Sequence, residues 1–297
     1  MATSAKDAAT TIIMAGKKRR QPRSLAAGRP PTIQRTKSIS RTATKALINK
    51  HHLLEKKKQQ AVARGDKAEE AVISAEIEAL GGLEHYQQAS LQGQRHDRGG
   101  DSSRVLIQWL EPHLTLRKES RRLRMLEVGA LSTQNACSKS GYFDIERIDL
   151  NSQGEGILQQ DFMKRPLPRD SSECFDIISL SLVLNFVPDP RGRGEMLLRT
   201  VQFLHQPDNY VGELANSFPS LFLVLPAPCV TNSRYLDEDL LGAIMTAVGY
   251  NKAASKTTQR LVYSLWKRSS RVPAGGEFSK KELRPGSFRN NFSIVLK

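Results

Sequence analysis

A glycine and an aspartate, Gly129 and Asp149, have the residue types and the spacing of a nucleotide-binding pair. Gly129 directly follows the apolar run 125–128, which predicts a strand that ends in a tight turn, where glycine lets the backbone approach a ligand. Asp149 lies twenty residues later, at the end of a second predicted strand over 145–150. In nucleotide-binding sheets, an acid at that place accepts hydrogen bonds from the two ribose hydroxyls. The pair therefore predicts a pocket for an adenosyl ligand.

The turn after the first strand reads Gly-Ala-Leu-Ser-Thr-Gln and contains one glycine. A dinucleotide site normally needs the pattern G-x-G-x-x-G, because a pyrophosphate must lie close to the helix N-terminus. S-adenosylmethionine carries no phosphate and needs less glycine. The turn therefore favours S-adenosylmethionine as cofactor over NAD, and it disfavours an NAD-dependent dehydrogenase.

Two further segments fit the same pocket. Asp161 and Phe162 follow a short predicted strand over 156–158, where an acid can bind the adenine amino group and an aromatic ring can cover the base. The same pair is also compatible with a surface acid beside a core phenylalanine. Ser181 ends the buried strand predicted over 175–181, and we expect it to contact the donor from the opposite side.

Short apolar strands alternate with helices after residue 124, which predicts an α/β fold with a parallel sheet covered on both faces. Further strands are predicted over 221–226, 260–267 and 292–296, and the last two suit an antiparallel end of the sheet. A sharp turn is predicted over 188–194. The predicted domains are a disordered basic tail over 1–45, a helical extension with a covering loop over 46–112, and the catalytic domain over 113–297.

The helical extension is predicted from spacing and caps. Helices are expected over 46–62, 66–80, 83–90 and 104–110. Asp66 would cap the second of these, with Glu69 three residues later as in a capping box, and Gly81-Gly82 would end it. Pro112 would end the last of them.

Positive charge is concentrated in the first sixty residues, which contain 15 Lys and Arg against 2 acids, whereas the remainder holds 30 against 28. A basic segment of this kind binds polyanions through counterion release, without sequence preference. It is typical of a nuclear or nucleolar protein that binds RNA, and it is also compatible with a solvated tail that has no specific partner.

The sequence predicts no metal site and no membrane span. The three cysteines stand far apart, and no pair of histidines has the spacing of a metal site on a firmly predicted helix. No apolar run approaches the roughly 20 residues that a membrane span needs.

Five segments together resemble the fungal nucleolar adenine-N(1) methyltransferases of large-subunit (25S) ribosomal RNA: 86–103, 126–140, 145–151, 159–162 and 174–199. The resemblance covers about residues 80–297. It implies a Rossmann-like, seven-stranded class I methyltransferase sheet, S-adenosyl-L-methionine bound at Gly129 and Asp149, and adenosine in ribosomal RNA as the substrate. It also implies pre-ribosomal particles as partners and a nuclear, nucleolar location, and it leaves the oligomeric state open.

The same likeness places Gln94, Arg98 and Gly99 near the donor as a covering loop. The alternative is that the 93–103 loop only connects the extension to the sheet.

Transfer to adenine N1, the atom implied by the resemblance, needs no general base because N1 has an in-plane lone pair and no proton at neutral pH. Catalysis would then rest on orientation. Asn185 is expected to bind the adenine edge and Phe186 to stack on the base, or both only shape the strand end. A non-catalytic S-adenosylmethionine sensor or scaffold, as found among the animal relatives, and a methyltransferase acting on a non-RNA substrate are the alternatives. The basic head favours the RNA enzyme.

Overall fold

The structure is a computed structural model, and it describes residues 41–81, 100–116, 121–152, 154–270 and 275–297. Residues 1–40 of the predicted tail, the predicted helix over 83–90, and the predicted covering-loop residues Gln94, Arg98 and Gly99 lie outside the described residues. Among the described residues, no helix is both long enough and apolar enough to cross a membrane.

The described helices and strands alternate along most of the chain. In chain order they are α1 (Arg41–Arg64), α2 (Lys67–Ala79), α3 (Ser103–Leu114), β1 (Leu123–Val128), α4 (Ala136–Lys139), β2 (Phe143–Asp149), β3 (Leu158–Gln159), β4 (Ile177–Ser181), α5 (Pro190–Phe203), β5 (Ser220–Pro226), α6 (Ala227–Thr231), α7 (Glu238–Val248), β6 (Tyr250–Thr257) and β7 (Leu261–Arg268).

The strands form one seven-stranded sheet in the order β3-β2-β1-β4-β5-β7-β6. Strands β1 to β5 pair in parallel, and β7 lies antiparallel between β5 and β6. The order reverses at β1 and β4, which are neighbours although β2 and β3 lie between them in sequence. A reversal of this kind opens a crevice at the carboxyl ends of the two strands, where ligands bind in open α/β sheets. The predicted seven-stranded α/β fold is confirmed.

Both faces of the sheet are buried, which explains why the central strands are continuously apolar. Along β4, Ile177 packs into the cluster on the face covered by α3, and Ile178 packs into the cluster on the face covered by α5 and α7. Both residues are fully buried. The hydrophobic core around the sheet is therefore split between its two faces.

The antiparallel end differs from the prediction. Segment 292–296, predicted as a strand, joins none of the described strands, and only Leu296 forms an isolated bridge, to Phe278. Its alternating apolar side chains pack instead against the α5 and α7 face. Strand β6 was not predicted because it is a polar edge strand in which only Tyr250 is buried.

Helix α2 begins as predicted. The Asp66 carboxylate accepts a hydrogen bond from the Glu69 backbone N–H at 3.0 Å. The Glu69 side chain pairs with Arg64 instead of closing a capping box. Gly81, with a φ of +91°, follows the end of the helix.

The prediction that Pro112 ends helix α3 is wrong, because the helix continues to Leu114. Pro112 lies in the last turn, where the loss of one backbone donor affects few hydrogen bonds. The helical bonding resumes beyond it, since the Thr115 N–H donates to the Glu111 carbonyl at 3.0 Å.

The run 188–194, predicted as a sharp turn, instead contains the first turn of α5. Asp189 caps this helix by accepting from the Gly192 N–H at 2.8 Å. Pro190 suits the first helical position, because its fixed φ matches the helix and its missing N–H has no partner to lose.

The C-terminal segment crosses α5 in direct backbone contact. The Val295 N–H donates to the Pro190 carbonyl at 2.9 Å, and a Cβ at Gly194 would lie 2.0 Å from the Val295 carbonyl oxygen. Arg193, which is buried, donates to the Ser293 carbonyl at 2.7 Å. Gly194 is therefore required by the close approach of two backbones.

Substitution Gly194→Ala is expected to destabilise the protein by roughly 1–3 kcal/mol, because the added methyl group forces the C-terminal segment away from α5. Urea unfolding at constant pH measures the change. Gly242→Ala is the matched control: Gly242 is also helical but has no atom within 4 Å of the added Cβ. That control should be neutral or stabilising by about 0.5–1 kcal/mol. Equal free energies of unfolding for Gly194→Ala and the wild type would contradict this packing.

Candidate functional site

Four of the predicted site residues lie at one edge of the sheet. Gly129 follows β1, Asp149 ends β2, Asp161 follows β3 and Ser181 ends β4. Because these strands are parallel, their carboxyl ends meet at the same edge. The structure therefore brings these residues to the crevice between β1 and β4 and along its β2 and β3 side.

Gly129 begins the turn that follows β1, and its backbone still pairs with β2. Its φ is +73°, in the left-handed region that favours glycine, and its N–H donates to the Ile148 carbonyl at 2.8 Å. A Cβ at this position would lie 2.6 Å from Cγ2 of Val183, which follows β4. Any larger residue would therefore push apart the two loops that border the crevice.

Asp149 lies directly beside this turn, since it follows Ile148 in β2. Its carboxylate is partly buried and accepts from the Asn151 N–H at 2.8 Å, and its carbonyl accepts from the Gln160 N–H at 2.9 Å. A carboxylate offers about four acceptor positions. Asp149 can therefore hold its own loop and also accept hydrogen bonds from ligand hydroxyls.

Asp161 and Phe162 have different environments. The Asp161 carboxylate is partly exposed and accepts from the Met163 N–H at 2.8 Å. The Phe162 ring is 2% exposed and packs 5.3 Å from the Phe203 ring, with the Arg199 guanidinium 5.8 Å from its centroid. Of the two roles open for Phe162, the core role fits this burial, whereas covering an adenine would need an open ring face.

The loop after β4 is conformationally unusual. Leu182 has a φ of +58°, which is uncommon for a residue with a side chain and costs on the order of 1–3 kcal/mol. Its N–H is held by the Val224 carbonyl of β5 at 3.0 Å. The preceding Ser181 hydroxyl is 2.8 Å from the Ser102 hydroxyl, which links β4 to the start of α3. Strain of this kind is common at binding sites.

Asn185 and Phe186 lie on the single 3₁₀ turn Leu184–Phe186 that follows. Asn185 is partly buried, and its Oδ1 atom is inaccessible to solvent without a hydrogen-bond partner in the described structure. A buried acceptor of this kind costs about 1–3 kcal/mol unless a partner binds it. The Phe186 side chain is partly exposed.

A polar clamp that the sequence interpretation missed ties α3 to the loop after β1. The Asp101 carboxylate accepts from the Ala136 N–H at 2.5 Å and from the Ser103 hydroxyl at 2.6 Å. The Ser103 hydroxyl in turn accepts from the Cys137 N–H at 3.2 Å. The signal is Asp-Ser-Ser directly before an apolar helical run, which is typical of a helix start, although the prediction places these residues in the loop over 93–103.

Glu127 lies beneath the same loop, on the strand that ends at Gly129. Its carboxylate accepts from the Asn135 side chain at 2.8 Å and lies 3.7 Å from Arg147. Burial raises the pKa of Glu127 to about 7, against the opposing effects of Asn135 and Arg147, and nearby Asp101 adds to the increase. The loop around the crevice thus rests on a carboxyl group that titrates near neutral pH.

The opposite edge of the sheet has a cleft of about 280 Å³, bordered by Ser171, His205 and Arg268. None of the predicted site residues lines it. Within the described ranges, no three His, Cys, Asp or Glu side chains are grouped as metal ligands would be.

We expect Glu127 to make the stability of the protein depend on pH. Because its folded pKa lies above its ordinary value of 4.5, its contribution is present below pH 4.5 and is lost as pH rises through about 7. The loss amounts to at most roughly 3 kcal/mol. Glu127→Gln should remove this dependence, which urea unfolding between pH 4.5 and 8 measures. Glu155→Gln, at an exposed position, is the control. If the difference in the free energy of unfolding between the wild type and Glu127→Gln does not change with pH, the raised pKa of Glu127 is refuted.

Comparison with known proteins gives two relatives of substantial identity. The 25S rRNA (adenine(2142)-N(1))-methyltransferase of Saccharomyces cerevisiae is 41% identical over 226 residues, which cover 75% of this chain and 63% of that protein. This chain therefore spans slightly less than two thirds of the yeast relative. The 25S rRNA adenine-N(1) methyltransferase of Schizosaccharomyces pombe is 38% identical over 254 residues, covering 84% of this chain and 89% of that protein.

A solved structure, the 1,6-didemethyltoxoflavin-N1-methyltransferase of Burkholderia thailandensis, matches with a TM-score of 0.38 at 12% identity, covering 62% of this chain and 87% of that one. The sequence model of the Bmt2 family, described as 25S rRNA (adenine(2142)-N(1))-methyltransferase, matches residues 71–294, which include the whole sheet and the crevice. Because the family model matches most of the chain and two relatives share 41% and 38% identity with it, the chain belongs to the Bmt2 family.

Proposed function

We propose that this chain is an S-adenosylmethionine-dependent methyltransferase that methylates N1 of an adenine in large-subunit (25S) ribosomal RNA. The observation that carries the proposal is the placement of Gly129 and Asp149 at adjoining strand ends. This pair occurs in a chain that is 41% and 38% identical to two relatives named as 25S rRNA adenine-N(1) methyltransferases.

The residues at the crevice fit the methyl donor. Gly129 keeps the loop open, Asp149 accepts hydrogen bonds from the ribose hydroxyls, and Asp161 accepts from the adenine amino group. Ser181 borders the other side. A donor held by these residues would supply a methyl group activated by its attachment to a sulfonium.

Asn185 and Phe186 hold the substrate base in this proposal. The buried Asn185 Oδ1 needs a donor, and the exocyclic amino group of adenine provides one while leaving the neighbouring N1 lone pair exposed. Phe186 stacks on the base. Since N1 carries no proton at neutral pH, no side chain has to remove one. The chain contributes orientation, which can supply roughly 7–11 kcal/mol.

The substrate adenine must be unpaired or flipped out of its helix, because N1 is engaged in a base pair otherwise. The basic first sixty residues support binding to RNA, since Lys and Arg release counterions from phosphates. They also support the nuclear and nucleolar location and the contact with pre-ribosomal particles that belong to this proposal.

Substitution Asp149→Ala is expected to weaken donor binding at least tenfold without unfolding the protein, because the ribose loses a charged acceptor worth about 1.5–3 kcal/mol. Titration calorimetry with S-adenosylhomocysteine measures the affinity. Asp144→Ala is the matched control, since Asp144 is an exposed aspartate on the same strand, five residues earlier. Unchanged affinity in Asp149→Ala would remove the cofactor assignment.

Substitution Asn185→Ala is expected to lower kcat for RNA methylation roughly 5- to 100-fold, while the affinity for the donor stays unchanged. Asn185→Asp keeps an acceptor and should retain more activity than Asn185→Ala. The assay transfers label from the donor to unmodified 25S ribosomal RNA and identifies the methylated atom. Absence of label in RNA with the wild-type protein would favour a sensor, and label in a protein fraction would favour another substrate.

A further inference from the structure

The segment after β7 presents an aromatic ring to solvent. Phe288 is 96% exposed, more than any other exposed large hydrophobic side chain in the described structure. A ring of this size in water is unfavourable, since burying a phenylalanine side chain yields about 1.5–3 kcal/mol. The position calls for a partner with an apolar face.

The loop that carries this ring, residues 284–291, is held in place by hydrogen bonds to the segment after β5. The Phe288 carbonyl accepts from the Asn232 side chain at 3.2 Å, and Arg234 donates to the Gly286 carbonyl at 2.7 Å. Arg284 donates to the Leu236 carbonyl at 2.8 Å. The 284–291 loop is thus preorganised, and little conformational entropy is lost when a ligand stacks on the ring.

The segment that carries the ring is rich in positive charge. Residues 275–297 contain five Lys and Arg against two Glu. Within the described ranges, none of the basic side chains on or beside the 284–291 loop has a carboxylate within 4.0 Å; these are Arg234, Lys280, Lys281, Arg284 and Arg289. Lys280 and Lys281 are exposed. Cations without a carboxylate partner, on the same segment as an exposed ring, suit a polyanion that also has flat apolar faces.

The 284–291 loop is hydrogen-bonded to the segment that follows β5. This segment begins at the carboxyl ends of the parallel strands, where the donor binds in the proposed function. Strand β5 ends at Pro226, at the same edge as the carboxyl ends of β1 and β4, and the chain runs on through α6 to Asn232. The Asn290 N–H donates to the Asn232 carbonyl at 3.1 Å. Arg193 adds a second connection, because it donates both to the Ser293 carbonyl and to the Val187 carbonyl just beyond Asn185.

We propose that the 284–291 loop, with Lys280 and Lys281, is a docking platform for a single-stranded part of the RNA substrate. One base stacks on Phe288, and the flanking phosphates bind the cations; this mode is tolerant of sequence. The inference rests on the proposed function, since it takes RNA as the substrate. A second copy of this chain fits the surface poorly, because two such patches would bring like charges together.

The test compares Phe288→Ala with the wild type in binding to a fluorescent single-stranded oligoribonucleotide from 25S ribosomal RNA, with S-adenosylhomocysteine present. We expect at least about fivefold weaker RNA binding, because base–aromatic stacking is lost, and unchanged affinity for S-adenosylhomocysteine. Phe288→Tyr should bind RNA like the wild type. Val211→Ala is the matched control, since Val211 is an 81% exposed side chain in the connection that leads into the opposite end of β5.

Two further readouts separate stacking from charge. A fully paired RNA duplex should bind equally well to the wild type and to Phe288→Ala, since its bases are not open to the ring. The double variant Lys280→Gln with Lys281→Gln should reduce the slope of log affinity against log salt by about 0.7 for each phosphate that the protein no longer neutralises.

If Phe288→Ala and the wild type bind single-stranded RNA equally well, the platform is refuted. The proposed function still stands in that case if the wild type methylates the RNA. Conversely, if RNA binds through Phe288 but is never methylated, the docking platform is supported and the proposed methyltransferase function is refuted. A wild-type protein that binds no RNA would refute both.

Discussion

The backbone hydrogen bond from Gly129 to Ile148 is the interaction on which the candidate site depends. It continues the parallel pairing of β1 and β2 beyond Val128, and so places the glycine turn beside the end of β2 at Asp149. The turn is possible only with a left-handed φ and with no side chain between the backbone and Val183. A side chain at position 129 would therefore have to displace Val183, on the loop after β4 that borders the crevice.

Polar groups from distant parts of the chain support this turn. Asp101 and Ser103 hold the first backbone amides of α4, and Asn135 joins that helix to Glu127. A network of this kind keeps a loop in one geometry, because each member has a partner that would be left unsatisfied by movement. On the other side of the crevice, Arg193 links the loop after β4 to the C-terminal segment, because it donates to the Val187 and Ser293 carbonyls. The two halves of the crevice are thus braced by separate elements.

Much of the sheet was predictable because buried strands leave a strong apolar pattern. The apolar runs that form β1, β4 and β5 predict strands for this reason, and the Gly129–Asp149 spacing predicts the place of the crevice. Strand β6 has no such pattern, since edge pairing uses backbone groups that any sequence provides. The hydrogen bonds of Asp101 and the close approach of Gly194 to the C-terminal segment join residues far apart in sequence, so only the fold reveals them. For Phe162 the sequence leaves two roles open, and its burial favours the core role.

The most direct test of this account is an experimental structure of the full chain bound to S-adenosylhomocysteine. We predict that the ribose hydroxyls lie within about 3.2 Å of the Asp149 carboxylate, with the ligand against the backbone of Gly129 and its adenine beside Asp161. A ligand bound elsewhere, or a crevice between β1 and β4 closed by packed side chains, would contradict it.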